Sequence, residues 1–516
     1  MTTFFAEENI TSEHRVRDTA LAEVAMAAGA LRQQGFDYDG MLESLRRDFG
    51  LNMAVRDGDL KLIAQAACPV RLPYLTEIDA AKAFVSRYGN DLRYCARAGG
   101  WLVYSNGRWA KDENGEVFRL AERVTSNIAD AAFLTTDLDE RKRINDFAKQ
   151  LRRRRVLENM VGAAAWQKEV AIGDPTVFDA DPWLFNVANG TIDLRTGDLL
   201  EHDRANLLTK IVPIKYDPNA RCPRWLQFLD EVFAGDAETV AFVRRVIGYT
   251  LTGSNREQAM FVCYGVGHNG KSTLFGIVRN ILGDYGDETS SSTFMDRQSG
   301  GMTNDLAKLH GARFVSAIET GERSNLAEGL VKAVTGGDRI SARFLHQEFF
   351  SFEPVFKLWL ATNHKPVIKG TDRGIWRRVH LIPFMECFEG TRDDKGLRPR
   401  LEAELSGILT WAVQGCLEWQ QHGLQVSSTV ANATANYRAE MDLFAGFIEE
   451  KCLVEESACA GSGELYQSYR SWAEANGERP LSQKWFALRL SDRGFNQQRS
   501  KKKRLWMGLE LLEGDA

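Results

Sequence analysis

Apolar residues recur at helical spacing through ALAEVAMAAGALRQQ and MLESLRRDFG, which predicts helices within residues 1–70. From about residue 75 the pattern becomes mixed. Trp101–Tyr104 and Arg108-Trp109 flank Asn106-Gly107, a dipeptide suited to a type I′ turn, so a β-hairpin is predicted there. Asn114-Gly115 offers a second turn. Residues 119–170 read as helical and include Arg152, Arg153, Arg154 and Arg155. VANGTIDLRTGDLL (187–200) carries Asn-Gly and Thr-Gly turns between short strands. Asp217-Pro218 and Cys222-Pro223 then punctuate the chain and predict a boundary near 220.

Residues 224–255 return to helical periodicity. A buried strand, Met260–Tyr264, follows, then a glycine loop and an amphipathic helix, Thr273–Leu282. Arg313–Ile318 and Phe356–Ala361 are further buried-strand runs. Strands alternating with helices predict an α/β core. Residues 395–445 read as helix. From about 446 the pattern is three helices, a basic turn and a strand. The expected segments are 1–74, 75–222, 223–394, 395–445 and 446–516.

Composition narrows the class. The chain has 516 residues, 44% of them hydrophobic and 26% charged, which excludes a chain disordered throughout. No run of 18 apolar residues occurs, so no membrane helix is expected. MTTFFAEENI lacks the basic start and long apolar run of a secretory signal. The eight cysteines stand singly, without CxxC or zinc spacing, as expected in a reducing cytosol. The net charge of −5 means that any nucleic-acid contact comes from local patches.

The glycine loop carries the strongest chemistry. Gly265, Val266, Gly267, His268, Asn269, Gly270, Lys271 and Ser272 match GxxxxGK[ST], with Thr273 following. Glycines let backbone N–H groups wrap a phosphate, lysine reaches the β and γ phosphates, and serine offers its hydroxyl to Mg²⁺. The helix beyond aims its N-terminus at the anion. ATP and Mg²⁺ are the expected cofactors. Glu319 ends an apolar strand in RFVSAIETGE, where a carboxylate can hold Mg²⁺ and orient water. Asn363 ends another in FKLWLATNHKP, where an amide can sense a γ-phosphate; a turn residue before Pro366 is the plainer alternative. Arg373, Arg377 and Arg378 follow in DRGIWRRVHLIPF, and an arginine acting across a subunit boundary can stabilise transition-state charge.

In this order, GVGHNGKST, RFVSAIETGE, LVKAVTGGDRISARF, KLWLATNHKP and GIWRRVHLIPF resemble the superfamily-3 helicases, AAA+ ring motors. The likeness is to the helicase half of phage, plasmid and poxvirus-type primase-helicases. YGNDLRYCARAGGWLVYSNGRWAKD and NVANGTIDLRTGDLLEHDRANLLTK resemble that family's domain ahead of the motor. The resemblance implies an α/β AAA+ P-loop motor core, an α+β N-terminal domain, helical segments and a C-terminal winged-helix-like domain. It implies Walker A roles for Lys271 and Ser272, the Walker B acid for Glu319, sensor 1 for Asn363, and an arginine finger in Arg377 or Arg378. Arg378 is preferred for its place before the VHLIPF strand. The family's DNA-gripping hairpin would lie between Walker B and sensor 1, with Arg343, His346 and Lys332 as contacts. Many viral relatives place two adjacent acids at Walker B; here Thr320 follows Glu319, so Glu319 serves both roles or Glu322 assists. Residues 1–70 have no room for a primase, so no priming activity is expected, and a separate primase or polymerase is an expected partner.

Residues 481–504 hold eight Lys/Arg, including Lys484, Arg489, Lys501, Lys502, Lys503 and Arg504, against Asp492 alone, a local balance of +7. A helix followed by a basic turn and LWMGLELL is similar to a winged-helix reader of DNA. The expectation is an ATP-dependent replicative DNA helicase of a phage, prophage or plasmid. It would form a homo-oligomeric ring, a hexamer, on single-stranded and forked DNA in a bacterial cytoplasm, away from membranes. The resemblance implies 3′-to-5′ movement. The alternatives are an ATP-switched origin-binding or loader protein without processive unwinding, and a related motor used in mobile-element defence.

Overall fold

A computed structural model describes residues 20–31, 38–49, 60, 72, 74–133, 137–296, 303–318, 324–344, 348–370, 373–477, 480–499 and 504–512. The chain forms two compact units: Met1–Asp181 with Glu201–Ile211, and Pro182–Leu200 with Val212–Ala516.

In the first unit, helices at 20–31 and Tyr38–Phe49 bury Val24, Ala28, Met41 and Leu45 against each other, as their apolar spacing predicts. Strands β1 (Leu92–Cys95), β2 (Gly100–Ser105) and β3 (Arg108–Lys111) form an antiparallel sheet in that order. Asn106 (φ 49°) and Gly107 (φ 79°) make the predicted tight turn between β2 and β3, both in the left-handed region. Helices Glu77–Tyr88, Glu116–Phe133, Leu138–Leu151 and Arg154–Ala164 pack around Phe84, Val124, Phe147 and Met160. Thr76 starts the first of these by accepting the Asp79 N–H at 3.1 Å.

The second unit opens with an antiparallel meander, β4 (Leu184–Val187), β5 (Gly190–Asp193) and β6 (Asp198–Leu200). These strands lie inside the 75–222 segment of the sequence reading but pack with the second unit. Phe185 stacks on Tyr285 at 4.9 Å, and Arg313 donates to the Leu184 carbonyl at 2.8 Å.

The centre of this unit is a five-stranded parallel sheet. Its strands are β7 (Met260–Tyr264), β8 (Gly286–Ser290), β9 (Phe314–Ile318), β12 (Lys357–Thr362) and β13 (Val379–Pro383), in the spatial order β13-β7-β12-β9-β8. Both faces are covered, which is why the inner strands read as unbroken apolar runs. Phe261, Cys263, Trp359 and Ala361 face one core with helices Ala237–Leu251, Lys271–Leu282 and Leu405–His422. Met260, Val262, Leu358 and Leu360 face the other, with Val331 and Val334 of helix Glu328–Gly336. Edge strand β13 is flanked by helix Ser428–Met441, whose Thr434 hydroxyl accepts the Leu381 N–H at 3.0 Å.

Helices Ala237–Leu251 and Leu405–His422 cross with their backbones touching. A Cβ on Gly248 would lie 2.1 Å from the Cys416 nitrogen, and one on Gly415 would lie 2.3 Å from the Arg244 carbonyl oxygen.

Two smaller features complete the unit. β10 (Ile340–Ala342) and β11 (Phe350–Phe352) form an antiparallel hairpin. The C-terminal part joins helices Leu443–Lys451, Ser462–Ala475 and Gln483–Asp492 to strands β14 (Cys452–Leu453), β15 (Cys459–Gly461), β16 (Asn496–Arg499), β17 (Arg504–Met507) and β18 (Glu510–Leu511). Phe447, Tyr469, Phe486 and Trp506 fill its core.

Candidate functional site

β7 delivers the chain at Tyr264 to the glycine loop, and helix Lys271–Leu282 begins immediately after Gly270. The loop is tight enough to require its glycines. Gly270 sits at φ 85°, and a Cβ there would lie 2.7 Å from Val232. A Cβ on Gly265 would lie 2.1 Å from the Phe384 carbonyl oxygen. His268 takes a left-handed conformation at φ 49°. Asn269, 3% exposed, braces the loop by donating to the carbonyls of Val266 (3.3 Å) and Phe384 (3.2 Å).

Lys271 is 7% exposed. Its ammonium donates to the Gly265 carbonyl, to Asn269 Oδ1 at 3.1 Å and to Asn363 Oδ1 at 3.2 Å. All three acceptors are neutral, and burial lowers the lysine pKa below its ordinary value, with Cys263 acting weakly the other way. A buried cation held only by neutral groups favours the arrival of an anion. Asn363 follows β12, the neighbour of β7, so two segments distant in sequence converge at one ammonium. This point lies at the carboxyl ends of parallel strands, where such sheets bind ligands. Ser272 is exposed and Thr273 half-buried at the start of the helix. Glu319 lies outside the described residues; β9, which precedes it, ends at Ile318.

The segment after β13 grips the loop from the other side. Phe388 N–H donates to the His268 carbonyl at 2.7 Å, and His268 Nδ1 lies 3.3 Å from a Glu389 oxygen. Sequence reasoning missed this clasp. Phe388 and Glu389 stand more than a hundred residues from the loop, with no spacing that announces the contact.

The two arginines differ sharply. Arg378 is buried, donating to Thr335 Oγ1 at 3.1 Å, to Gln258 Oε1 at 3.3 Å and to the Gly374 carbonyl. Arg377 is exposed and donates to the same Gln258 oxygen. The preference for Arg378 as an arginine reaching a neighbour therefore does not fit. Its guanidinium is enclosed within this chain, whereas that of Arg377 lies at the surface. Arg378→Ala should lower the unfolding midpoint through loss of these buried bonds. Arg377→Ala should leave stability within about 0.5 kcal/mol of the parent and, if Arg377 serves as an arginine finger, reduce ATP hydrolysis. Thermal melts alongside steady-state hydrolysis check both outcomes.

The candidate DNA contacts fall at several places. Arg343 is exposed at the β10–β11 hairpin, its guanidinium 4.6 Å from the Phe349 ring. Lys332 lies one helical turn from Glu328, at 4.0 Å. Lys484 and Arg504 are exposed. Arg489 instead donates to the Lys369 carbonyl at 2.9 Å, so it is engaged within the protein rather than presented on an open helix face. His346, Lys501, Lys502 and Lys503 lie outside the described residues. In the first unit, Arg152 to Arg155 are all exposed, with Arg154 paired to Glu158 at 2.8 Å. Among the described residues no group of acids, histidines and cysteines is arranged to hold a metal, and no helix is long and apolar enough to cross a membrane.

Parts of the chain are similar to known proteins. The family described as D5 N terminal like matches residues 81–234, and a family of unknown function, DUF5906, matches residues 263–378. A protein of Acanthamoeba polyphaga mimivirus, named as a candidate helicase, is 26% identical over 436 residues, covering 77% of this chain and 45% of its own length. A candidate helicase of Frog virus 3 is 25% identical over 505 residues, covering 80% of this chain and 50% of its own. A candidate primase of African swine fever virus is 23% identical over 328 residues, covering 58% and 34%. The chain thus spans half or less of the length of these relatives. Among solved structures, the apo C-terminal region of NrS-1 is similar at a TM-score of 0.43 and 9% identity, covering 84% of this chain and all of that one.

Proposed function

We propose that the chain, which matches the D5 N terminal like family over residues 81–234, is a D5-like primase-helicase and works as an ATP-dependent DNA helicase built on an AAA+ motor. The observation that supports this reading is the convergence of Lys271 and Asn363 at 3.2 Å, as expected of a phosphate-binding ammonium beside a γ-phosphate sensor. The sheet order β13-β7-β12-β9-β8 supports it, since it places the glycine loop between the strand carrying the sensor and the strand following the arginines. Lys271 would hold the β and γ phosphates, and Ser272 and Glu319 would hold Mg²⁺. The metal would neutralise developing charge on the transferring phosphoryl group. Arg377, exposed ahead of β13, would act on the nucleotide of a neighbouring copy. That requirement supports a ring, with six copies the expected number. Single-stranded and forked DNA are the proposed substrates.

Strand displacement from a forked duplex with Mg·ATP tests this reading. Unwinding that needs hydrolysable ATP, with ATPase stimulated by single strands, supports it. Hydrolysis without strand separation would instead favour the loader alternative. That alternative has its own support: the C-terminal helix Gln483–Asp492 and the antiparallel β16–β17 pair would serve as recognition helix and wing, with Lys484, Arg499 and Arg504 exposed. Sequence-selective binding of duplex DNA is the result that reading requires.

A further inference from the structure

The four consecutive arginines of the first unit take no part in the proposed motor. Residues 141–166 hold eight Lys/Arg against Asp146 and Glu158, a local balance of +6 in a chain whose net charge is −5. Both acids are already matched, Asp146 by Lys149 at 3.7 Å and Glu158 by Arg154 at 2.8 Å. Arg152 reaches a neutral group, the Ser126 hydroxyl, at 3.3 Å. Arg153 and Arg155 are exposed and form no ion pair among the described residues. Cations crowded in this way repel one another, and a chain of anions laid across them relieves the repulsion.

The helix that these arginines open adds a second feature. Helix Arg154–Ala164 turns Met160, Val161 and Ala164 into the core of its unit. Arg155, Asn159 and Gly162 follow one another at the spacing of a single helical stripe, and all three are exposed. A Cβ on Gly162 would meet nothing within 4 Å, so the stripe is open at its middle. Trp166 stands in the turn beyond the helix, at the next step of the same spacing. It is 81% exposed, more than any other large apolar side chain among the described residues. Eleven positions separate it from Arg155, on the order of 16 Å along the axis.

Charge and ring together select the partner. A run of carboxylates would satisfy the arginines but gives the indole no flat face to meet. A duplex offers phosphates but keeps its bases stacked on one another. A single strand presents both, phosphates along its backbone and unpaired bases whose π-faces stack on aromatic side chains. We infer that this stripe is a single-strand site carried by the first unit itself, with Arg153 and Arg155 meeting phosphates and Trp166 stacking on a base further along the strand. The inference rests on the helicase reading and gives the region ahead of the motor a strand-binding role of its own.

The test uses the full chain without nucleotide. Fluorescent oligothymidine and an abasic strand of equal length are titrated by anisotropy over a range of salt concentrations. Arg153→Gln with Arg155→Gln should weaken both strands and lower the slope of log affinity against log salt by about 1.4, at about 0.7 per phosphate contact. Arg153→Lys with Arg155→Lys should restore that slope, which guards against mere loss of folding. Trp166→Ala should cost roughly tenfold on oligothymidine and leave abasic binding and both slopes unchanged, and Trp166→Phe should recover most of the loss. A parental slope in the glutamine pair overturns the inference, as does a Trp166→Ala variant that loses nothing or loses equally on both strands. In those cases strand binding by the parent leaves the helicase reading standing. Fluorescent polyglutamate bound as tightly as oligothymidine would assign the face to an acidic protein and overturn the inference too. So would a changed sedimentation of Trp166→Ala with both affinities intact, since the indole would then pack on another copy. A parent that binds neither strand overturns the helicase reading as well.

Discussion

Lys271→Ala is expected to cut ATP hydrolysis at least a hundredfold, roughly 3 kcal/mol of transition-state stabilisation, and to abolish ATP-driven strand separation with it. The size of the effect follows from the site. The ammonium is buried among three neutral oxygens. Alanine removes the charge and leaves Asn269 Oδ1 and Asn363 Oδ1 without their donor. Asn363→Ala should separate binding from chemistry. Nucleotide affinity, read with a fluorescent analogue, should fall little, whereas turnover should fall by about tenfold or more. Hydrolysis by Lys271→Ala at the parental rate would remove the glycine loop from the mechanism. Loss of affinity in Asn363→Ala equal to the loss of turnover would reduce Asn363 to a brace for the lysine.

The second large effect lies away from the chemistry. Gly248→Val is expected to destabilise the second unit by roughly 3 kcal/mol or more, lowering its unfolding midpoint by several degrees. Even the first carbon of the new side chain would lie 2.1 Å from the Cys416 backbone nitrogen and 2.7 Å from the Ala412 carbonyl oxygen, so the two helices must move apart to admit it. Gly329→Ala is the control, because an added Cβ there meets nothing within 4 Å inside helix Glu328–Gly336. That change should be neutral or slightly stabilising, since alanine favours a helix over glycine. Urea unfolding followed by far-ultraviolet dichroism distinguishes the pair, and equal midpoints would mean that the helix crossing tolerates separation.

Much of this was legible in the chain. Buried strands such as Met260–Tyr264 announce themselves as apolar runs, and Asn106-Gly107 announces its turn through φ angles that few other residues accept. The glycine loop is legible because its chemistry is contiguous. β8 was not foreseen: GDETS is polar and sits at the sheet edge, so neither burial nor alternation marks it. The contrast between Arg377 and Arg378 was equally hidden. Both reach Gln258, and only Arg378 also packs against Thr335, a contact with a residue more than forty positions away. The Asn269 brace depends on Phe384, 115 positions along the chain, a separation that local pattern cannot span.

β13 has a mechanical consequence. Arg377 and Arg378 stand at its entrance, and at its exit Phe384 and Phe388 are tied to Asn269 and His268. Five residues, on the order of 16 Å of extended chain, join the two ends. Paired to β7 at all five of its residues, β13 is locked in register, since a lengthwise slip would break the whole ladder and turn buried side chains outward. β13 is therefore a rigid tie across the sheet: whatever shifts the loop end shifts the arginine end with it.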